Sequence, residues 1–238
     1  MRLSNFRLKV VDNMTTPQRS GGKWNLFATL TDELINTIAA SCQVQQFGSG
    51  ACIYRRGDQS TALYQVITGR VLMRTYSSEG KELLYVHMEP GDCFGELGLI
   101  DGKPCHHDAD AGLATTCLRI DRIAFLKLRQ QYPEFQEALL QFLARRTRAI
   151  YATIEDAFLL DVPRRLARRL YDMFQQRSRA GLDPVVTCTH EDLAKMIGST
   201  RQSVSSILKD WERDGWLEQS YNTITLGSLE QLRSLVEV

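Results

Sequence analysis

Three hydrophobic periods succeed one another along the chain. Behind Trp24, the residues Leu30, Leu34, Ile35 and Ile38 recur at helical spacing after Thr31, which predicts a short helix capped by that threonine. From Val44 to about Leu118 the period falls to two, in short runs such as ALYQVITGRVLMRTY and KELLYVHM broken by glycine. In VLMRTY, Val71, Met73 and Thr75 share one face and Leu72, Arg74 and Tyr76 the other, and Ser77-Ser78-Glu79-Gly80 supplies a turn before the next run. Many short strands with regular turn signals predict a sandwich or barrel. After Arg122 the helical period returns and holds to about Leu160.

Within that helical stretch, Leu140, Leu143, Thr147, Ile150, Ile154 and Ala157 alternate steps of three and four, a seam with one polar interruption. Arg145, Arg146 and Arg148 flank it. A narrow seam of this kind predicts a helix that pairs with its copy in a second subunit, and those six residues are the expected dimer interface. Asp161-Val162-Pro163 ends it and starts another helix, because proline disfavours a helical residue before it but fits a first turn.

Thr189 to Trp216, THEDLAKMIGSTRQSVSSILKDWERDGW, is the stretch richest in chemistry. Thr189 with Asp192 fits a capping box, Leu193, Ala194 and Ile197 form one inward face, and Gly198 breaks the helix. A second helix follows at once, with Ser199 and Gln202 as its expected capping box and Val204, Ile207, Leu208 and Trp211 as its buried stripe. Two short helices joined by a glycine turn describe a helix-turn-helix, whose second helix addresses the major groove. Arg201, Gln202, Ser205, Ser206 and Lys209 are left facing outward. An arginine pairs with guanine by two donors, a glutamine pairs with adenine, and hydroxyls or lysine hold phosphates. WLEQSYNTITL then offers two short strands around Ser220-Tyr221-Asn222, a wing.

Composition qualifies this picture locally, not globally. The net charge of +1 announces no nucleic-acid binder, yet Asp161 to Arg213 holds ten Lys and Arg against seven Asp and Glu, while the tail from Asp214 holds one against four. The basic balance sits where DNA is expected. Six cysteines without a Cys-x-x-Cys pair read as free thiols in a reducing compartment, and with neither a secretory leader nor a bilayer-length apolar run the expected location is cytoplasmic, with no membrane partner. No nucleophile, base and orienter come together in the sequence, so no catalytic residue is assigned and the chain is not expected to be an enzyme.

From about Trp24 onward the chain resembles the transcription regulators of the cyclic-AMP receptor protein and fumarate-nitrate reduction regulator (Crp/Fnr) family. LFATLTDEL, YRRGD, PGDCFGELGLIDGKP, AFLLDVPRRLARRL and HEDLAKMIGSTRQSV occur in the family's order. The resemblance implies an α+β chain: an N-terminal β-roll (a double-stranded β-helix of the cyclic-nucleotide-binding kind), a long dimerisation helix and a C-terminal winged helix-turn-helix. The corresponding expected boundaries are a loosely ordered arm over 1–22, the roll over 23–130, the dimerisation helix over 131–161 and the DNA-binding domain over 162–238. It also implies a homodimer on a palindromic double-stranded operator, with RNA polymerase as a further partner.

The effector is where the chain departs from the pattern. In cyclic-nucleotide-binding members a Gly-Glu-Leu turn gives its carboxylate to the ribose and an Arg-Ser pair clamps the cyclic phosphate. Here Gly95, Glu96 and Leu97 keep the first element, but Cys105-His106 stands in the Arg-Ser place, and the Thr-Ser pair that touches adenine falls on Ile150-Tyr151. Losing a permanent charge and its bidentate fork disfavours a buried phosphate, so cyclic AMP is not the expected ligand and the effector is unassigned. A cyclic dinucleotide, a metal or haem, a thiol redox signal at Cys105, and a non-DNA-binding regulatory module remain as alternatives. Cys105, His106 and His107 cannot all serve one centre if they alternate along a strand, so no metal ligand is assigned. Cys42 is the first thiol, so the N-terminal cysteine cluster of iron-sulfur members is absent.

Overall fold

The computed structural model describes residues 22–179 and 181–236, so the expected loose arm over 1–22 lies, Gly22 apart, outside the described residues. Contacts divide the chain into two compact units, Met1–Thr75 with Tyr85–Thr147, and Tyr76–Leu84 with Arg148–Val238.

The chain enters through a 3-10 turn, Phe27–Thr29, and helix α1, Asp32–Ser41, which buries Leu34, Ile35 and Ile38. Thr31 occupies the N-cap position but makes no side-chain cap. Its N–H and Oγ1 instead donate to the Glu134 carboxylate at 2.5 and 3.0 Å. The alternating region then yields eight strands: β1 (Gln43–Phe47), β2 (Cys52–Tyr54), β3 (Ala62–Thr68), β4 (Val71–Tyr76), β5 (Glu82–Met88), β6 (Cys93–Phe94), β7 (Asp108–Ala111) and β8 (Thr115–Asp121). They form two four-stranded sheets, ordered β1-β8-β3-β6 and β2-β7-β4-β5. β8 pairs antiparallel with β1 and β3, and β7 antiparallel with β2 and β4. Val71 and Met73 of β4 are buried while Leu72 and Arg74 are half-buried, the alternation its sequence predicts.

Helix α2 (Leu97–Asp101) follows β6, and α3 (Arg122–Gln131) follows β8, capped by Asp121, whose carboxylate accepts from the Ala124 N–H at 2.8 Å. Tyr132 is extended and Pro133 opens the long helix α4, Pro133–Leu159. Phe135, Ala138, Leu139 and Phe142 form its buried face, with the Phe135 ring edge-on to Phe125 at 5.7 Å.

The C-terminal part consists of α5 (Val162–Arg179), β9 (Val185–Thr187), α6 (His190–Ile197), α7 (Arg201–Arg213), β10 (Leu217–Ser220), β11 (Thr223–Leu226) and α8 (Leu229–Val236). Its sheet is ordered β10-β11-β9. Leu166, Leu170 and Phe174 of α5 meet Leu193, Val204, Leu208, Trp211, Ile224 and Leu232 in one apolar core. The architecture is the expected one: an N-terminal β-sheet domain, long helices and a C-terminal helix-turn-helix with a wing. β9 and α8 are additions that the sequence reading did not foresee.

Candidate nucleic-acid interface and effector site

Local chemistry sets the two helices of the reader. In α6 the Thr189 hydroxyl accepts from the Asp192 N–H at 3.0 Å while the Asp192 carboxylate accepts from the Thr189 N–H at 3.4 Å, the reciprocal box expected there. Gly198 closes α6 in the left-handed region at φ 64°, a conformation that costs a side-chain-bearing residue more. The next cap is one residue later than expected. Thr200, not Ser199, is the N-cap of α7, its hydroxyl accepting from the Ser203 N–H at 3.1 Å. Ser199 instead donates its backbone N–H to Ala194 O at 2.9 Å, completing the turn.

Val204, Leu208 and Trp211 are buried, whereas Ile207, like Ile197 of α6, is only partly covered. Trp211 stacks on Trp216 with centroids 5.6 Å apart. With that stripe turned inward, Arg201, Gln202, Ser206 and Lys209 are exposed and Ser205 is half-buried. Two exposed cations and one amide therefore line the leading face of a helix whose back is locked into a core. The wing is braced from α7, because Glu212 accepts from the Gln219 backbone N–H at 2.7 Å and side-chain amide at 3.0 Å. At its tip Asn222 has φ 55° and Tyr221 is 91% exposed, an aromatic residue to which the sequence reading gave no role.

The expected effector site centres on Glu96. Gly95 sits at φ +92°, and a Cβ there would lie 2.6 Å from Ala62 O, so the turn into Glu96 requires glycine. The Glu96 side chain is 2% exposed and its Oε1 accepts from Arg146 Nη1 of α4 at 2.6 Å. Leu97 points away, 46% exposed. Cys105 to His107 do not alternate along a strand, as the sequence reading supposed, because β7 begins only at Asp108 and the three lie in the loop before it. That loop is pinned to the 55–58 turn by Gly57 N–H to Cys105 O at 2.9 Å and Cys105 N–H to Asp58 O at 2.8 Å.

The consequence is a change of residue. His106 is exposed, and His107 turns inward, its Nε2 3.0 Å from the Tyr54 hydroxyl. Tyr64, Phe94 and Tyr85 surround this pair, the rings of the cluster standing 5.2 to 6.5 Å apart by centroid. Burial, with the Arg146 and His106 charges behind it, lowers the His107 pKa to about 4, so the ring is neutral at physiological pH. Burial and then the Glu96 charge raise that of the Tyr54 phenol well above its ordinary value. Burial and Asp58 raise the Cys105 thiol. The Glu96–Arg146 pair carries no net charge, and the His107 and Tyr54 rings near it are neutral, so none of these four groups supplies a phosphate with an unpaired positive charge. Ile150 and Tyr151, the expected counterparts of the adenine contacts, are exposed on α4.

The expected seam residues Leu140, Thr147, Ile150, Ile154 and Ala157 are all exposed and Leu143 is half-buried. Tyr151, Phe158 and Leu159 extend this apolar surface beyond the seam. The described cysteines are all free thiols. Among the described residues no three His, Cys, Asp or Glu side chains are grouped to hold a metal ion, and no helix is long and apolar enough to cross a membrane.

Comparison with known proteins matches these two regions separately. A family model described as Cyclic nucleotide-binding domain covers residues 44–132, and one described as Crp-like helix-turn-helix domain covers 164–235. The chain is 28% identical over 210 residues to the CRP-like cAMP-activated global transcriptional regulator of Mycobacterium tuberculosis, covering 87% of this chain and 94% of that protein. Among solved structures, FixK2 from Bradyrhizobium japonicum shares the fold with a TM-score of 0.76 at 20% identity, over 83% of this chain and 98% of that one. A transcriptional regulator of the CRP family from Thermus thermophilus matches at 26% identity and a TM-score of 0.66, over 82% and 97%.

Proposed function

Since the chain belongs to the Crp/Fnr family of DNA-binding transcription regulators, we propose that it works as a homodimer reading a palindromic operator with α7, under an effector site that does not take cyclic AMP. The observation that carries this reading is the exposed leading face of α7, with Arg201, Gln202, Ser206 and Lys209 presented from a helix fixed on a buried core. Arg201 and Gln202 have the hydrogen-bonding forks for base edges, and Lys209 and the hydroxyls serve phosphates. The second copy is called for by α4, where Leu140 is 62% and Ile150 59% exposed in the single chain. An apolar row along a long helix is costly in water and closes on its own copy by two-fold symmetry. Two-fold pairing places the half-sites about one helical turn apart.

Against cyclic AMP stand the absence of an arginine at Cys105 and the neutral His107 that turns inward beside it. The same reasoning weighs against a cyclic dinucleotide, which brings two phosphates. A thiol switch at Cys105 has little support, because burial raises that pKa and leaves less of the reactive thiolate. A metal or haem centre on the His106–His107 pair is disfavoured by one ring facing solvent and the other being bonded to Tyr54. An effector acts only by binding two states of the dimer unequally, and α4, which carries both Arg146 and the apolar row, is the element through which it would do so. RNA polymerase, at promoters in the cytoplasm, is the expected further partner.

The test is binding to a duplex selected from a randomised library by the wild-type protein. Arg201→Ala is expected to weaken binding to that duplex by about five- to 150-fold, from about 1–3 kcal/mol of lost base contact, with affinity falling steeply in salt. An unchanged affinity in Arg201→Ala removes the assignment of α7 as reader.

A further inference from the structure

Trp24 and Asn25 are tied to the roll at several points that the effector reading does not use. The Trp24 N–H donates to Asp92 Oδ1 at 2.6 Å, the Cys93 N–H donates to Trp24 O at 2.8 Å, and Gln65 Nε2 donates to Asn25 Oδ1 at 3.5 Å. Trp24, Asn25 and Asp92 are all buried. The same two residues then reach consecutive arginines of α4. Arg145 Nη2 donates to Asn25 O at 3.2 Å, and the Arg146 guanidinium carbon lies 5.8 Å from the centre of the Trp24 ring. The Phe142 ring stands 5.4 Å from the same carbon. Two aromatic rings thus lie against the guanidinium whose Nη1 donates to Glu96.

An arginine carries about 2 kcal/mol of side-chain entropy, and a ring against its guanidinium restricts where its planar fork points. We propose that Trp24 and Asn25 form an N-terminal strap that positions Arg146 and Arg145, so that the Arg146–Glu96 pair holds α4 on the roll. Trp24 is then a positioning residue for operator binding, acting through Arg146. This rests on the reading of the chain as an operator-binding dimer, because α4 also carries the apolar row through which two copies pair.

The experiment compares two substitutions in the full chain, with no nucleotide added, on the library-selected duplex. Trp24→Phe keeps an aromatic face and is expected to bind within about twofold of wild type. Trp24→Leu keeps apolar bulk without the π-face and is expected to bind about tenfold more weakly, the size implied by a desolvated cation–π contact. In an Arg146→Met background Trp24→Leu should cost nothing further, since the group it positions is gone. Equal affinities for the Phe and Leu variants, or a Trp24→Leu loss that multiplies with that of Arg146→Met, overturn the strap. Were either Trp24 variant to fold poorly, hydrogen exchange over residues 142–147 replaces affinity as the readout: faster exchange in Leu than in Phe supports the strap, and equal rates overturn it. Wild-type protein that selects no duplex defeats the operator reading instead, so the two failures are distinguishable.

Discussion

Arg146→Met removes one partner of an ion pair whose other member has almost no contact with water. The Glu96 side chain is 2% exposed and that of Arg146 19%, and methionine preserves most of the arginine's apolar stem. Breaking a buried pair from one side costs about 3–5 kcal/mol, because the surviving charge stays desolvated. The partial exposure of Arg146 argues for the lower end, about 3 kcal/mol, to which the lost contacts with the Trp24 and Phe142 rings add about 1 kcal/mol. For a chain of this length each kcal/mol moves the melting temperature by about 2–4 °C, so a drop of about 8–16 °C is expected by scanning calorimetry. The drop should persist at high salt, since a pair this buried is poorly screened. Glu96→Gln added to Arg146→Met should restore part of the loss by removing the stranded charge. A single variant melting within about 2 °C of wild type, or a double variant no more stable than the single, would refute the claim that Glu96 depends on Arg146.

Three further outcomes follow from other parts of the structure. Ile154→Glu, on the exposed face of α4, should leave the circular dichroism spectrum intact and halve the mass seen in analytical ultracentrifugation; a surviving dimer would place the interface elsewhere. Gly95→Ala, at φ +92° with its new Cβ 2.6 Å from Ala62 O, should lower stability by about 1–3 kcal/mol in urea unfolding, and a neutral result would mean the turn tolerates a side chain. Burial pushes the Asp92 carboxyl from 3.8 up to about 7, against the opposing pull of the Trp24 and Glu89 N–H groups. The folded chain therefore binds that proton more tightly than the unfolded chain. This contribution is complete below pH 3.8, declines as pH rises, and is gone above about 7. Measured against the non-titrating Asp92→Ser, the wild-type advantage in urea should shrink by about 3 kcal/mol between about pH 5 and about pH 8; an equal advantage at both values would show that Asp92 titrates alike in both states.

Thr189 with Asp192, Gly198, the stripe of Val204, Leu208 and Trp211, and Pro163 after the long helix were all legible in the order of residues alone. Caps, breaks and periodic faces depend on neighbours within one or two turns, and those neighbours are contiguous in the chain. The same locality explains the small errors. Ser199 and Thr200 are adjacent hydroxyls with equal claim to a cap, and only the completed turn shows that Ser199 commits its N–H to Ala194.

What sequence could not supply are pairings across long separations and the direction of side chains in loops. Glu96 and Arg146 stand 50 residues apart and Asn25 and Arg145 stand 120 apart, so no spacing rule connects them. Which of His106 and His107 turns inward follows no period in the sequence, because both lie in the loop before β7, where contacts across the fold set each side chain's direction. Sequence by itself determined the elements, their order and the outward chemistry of α7. Tertiary structure alone decided which charges meet and which are neutralised, since a group's partners and its share of water depend on the neighbours that folding brings to it.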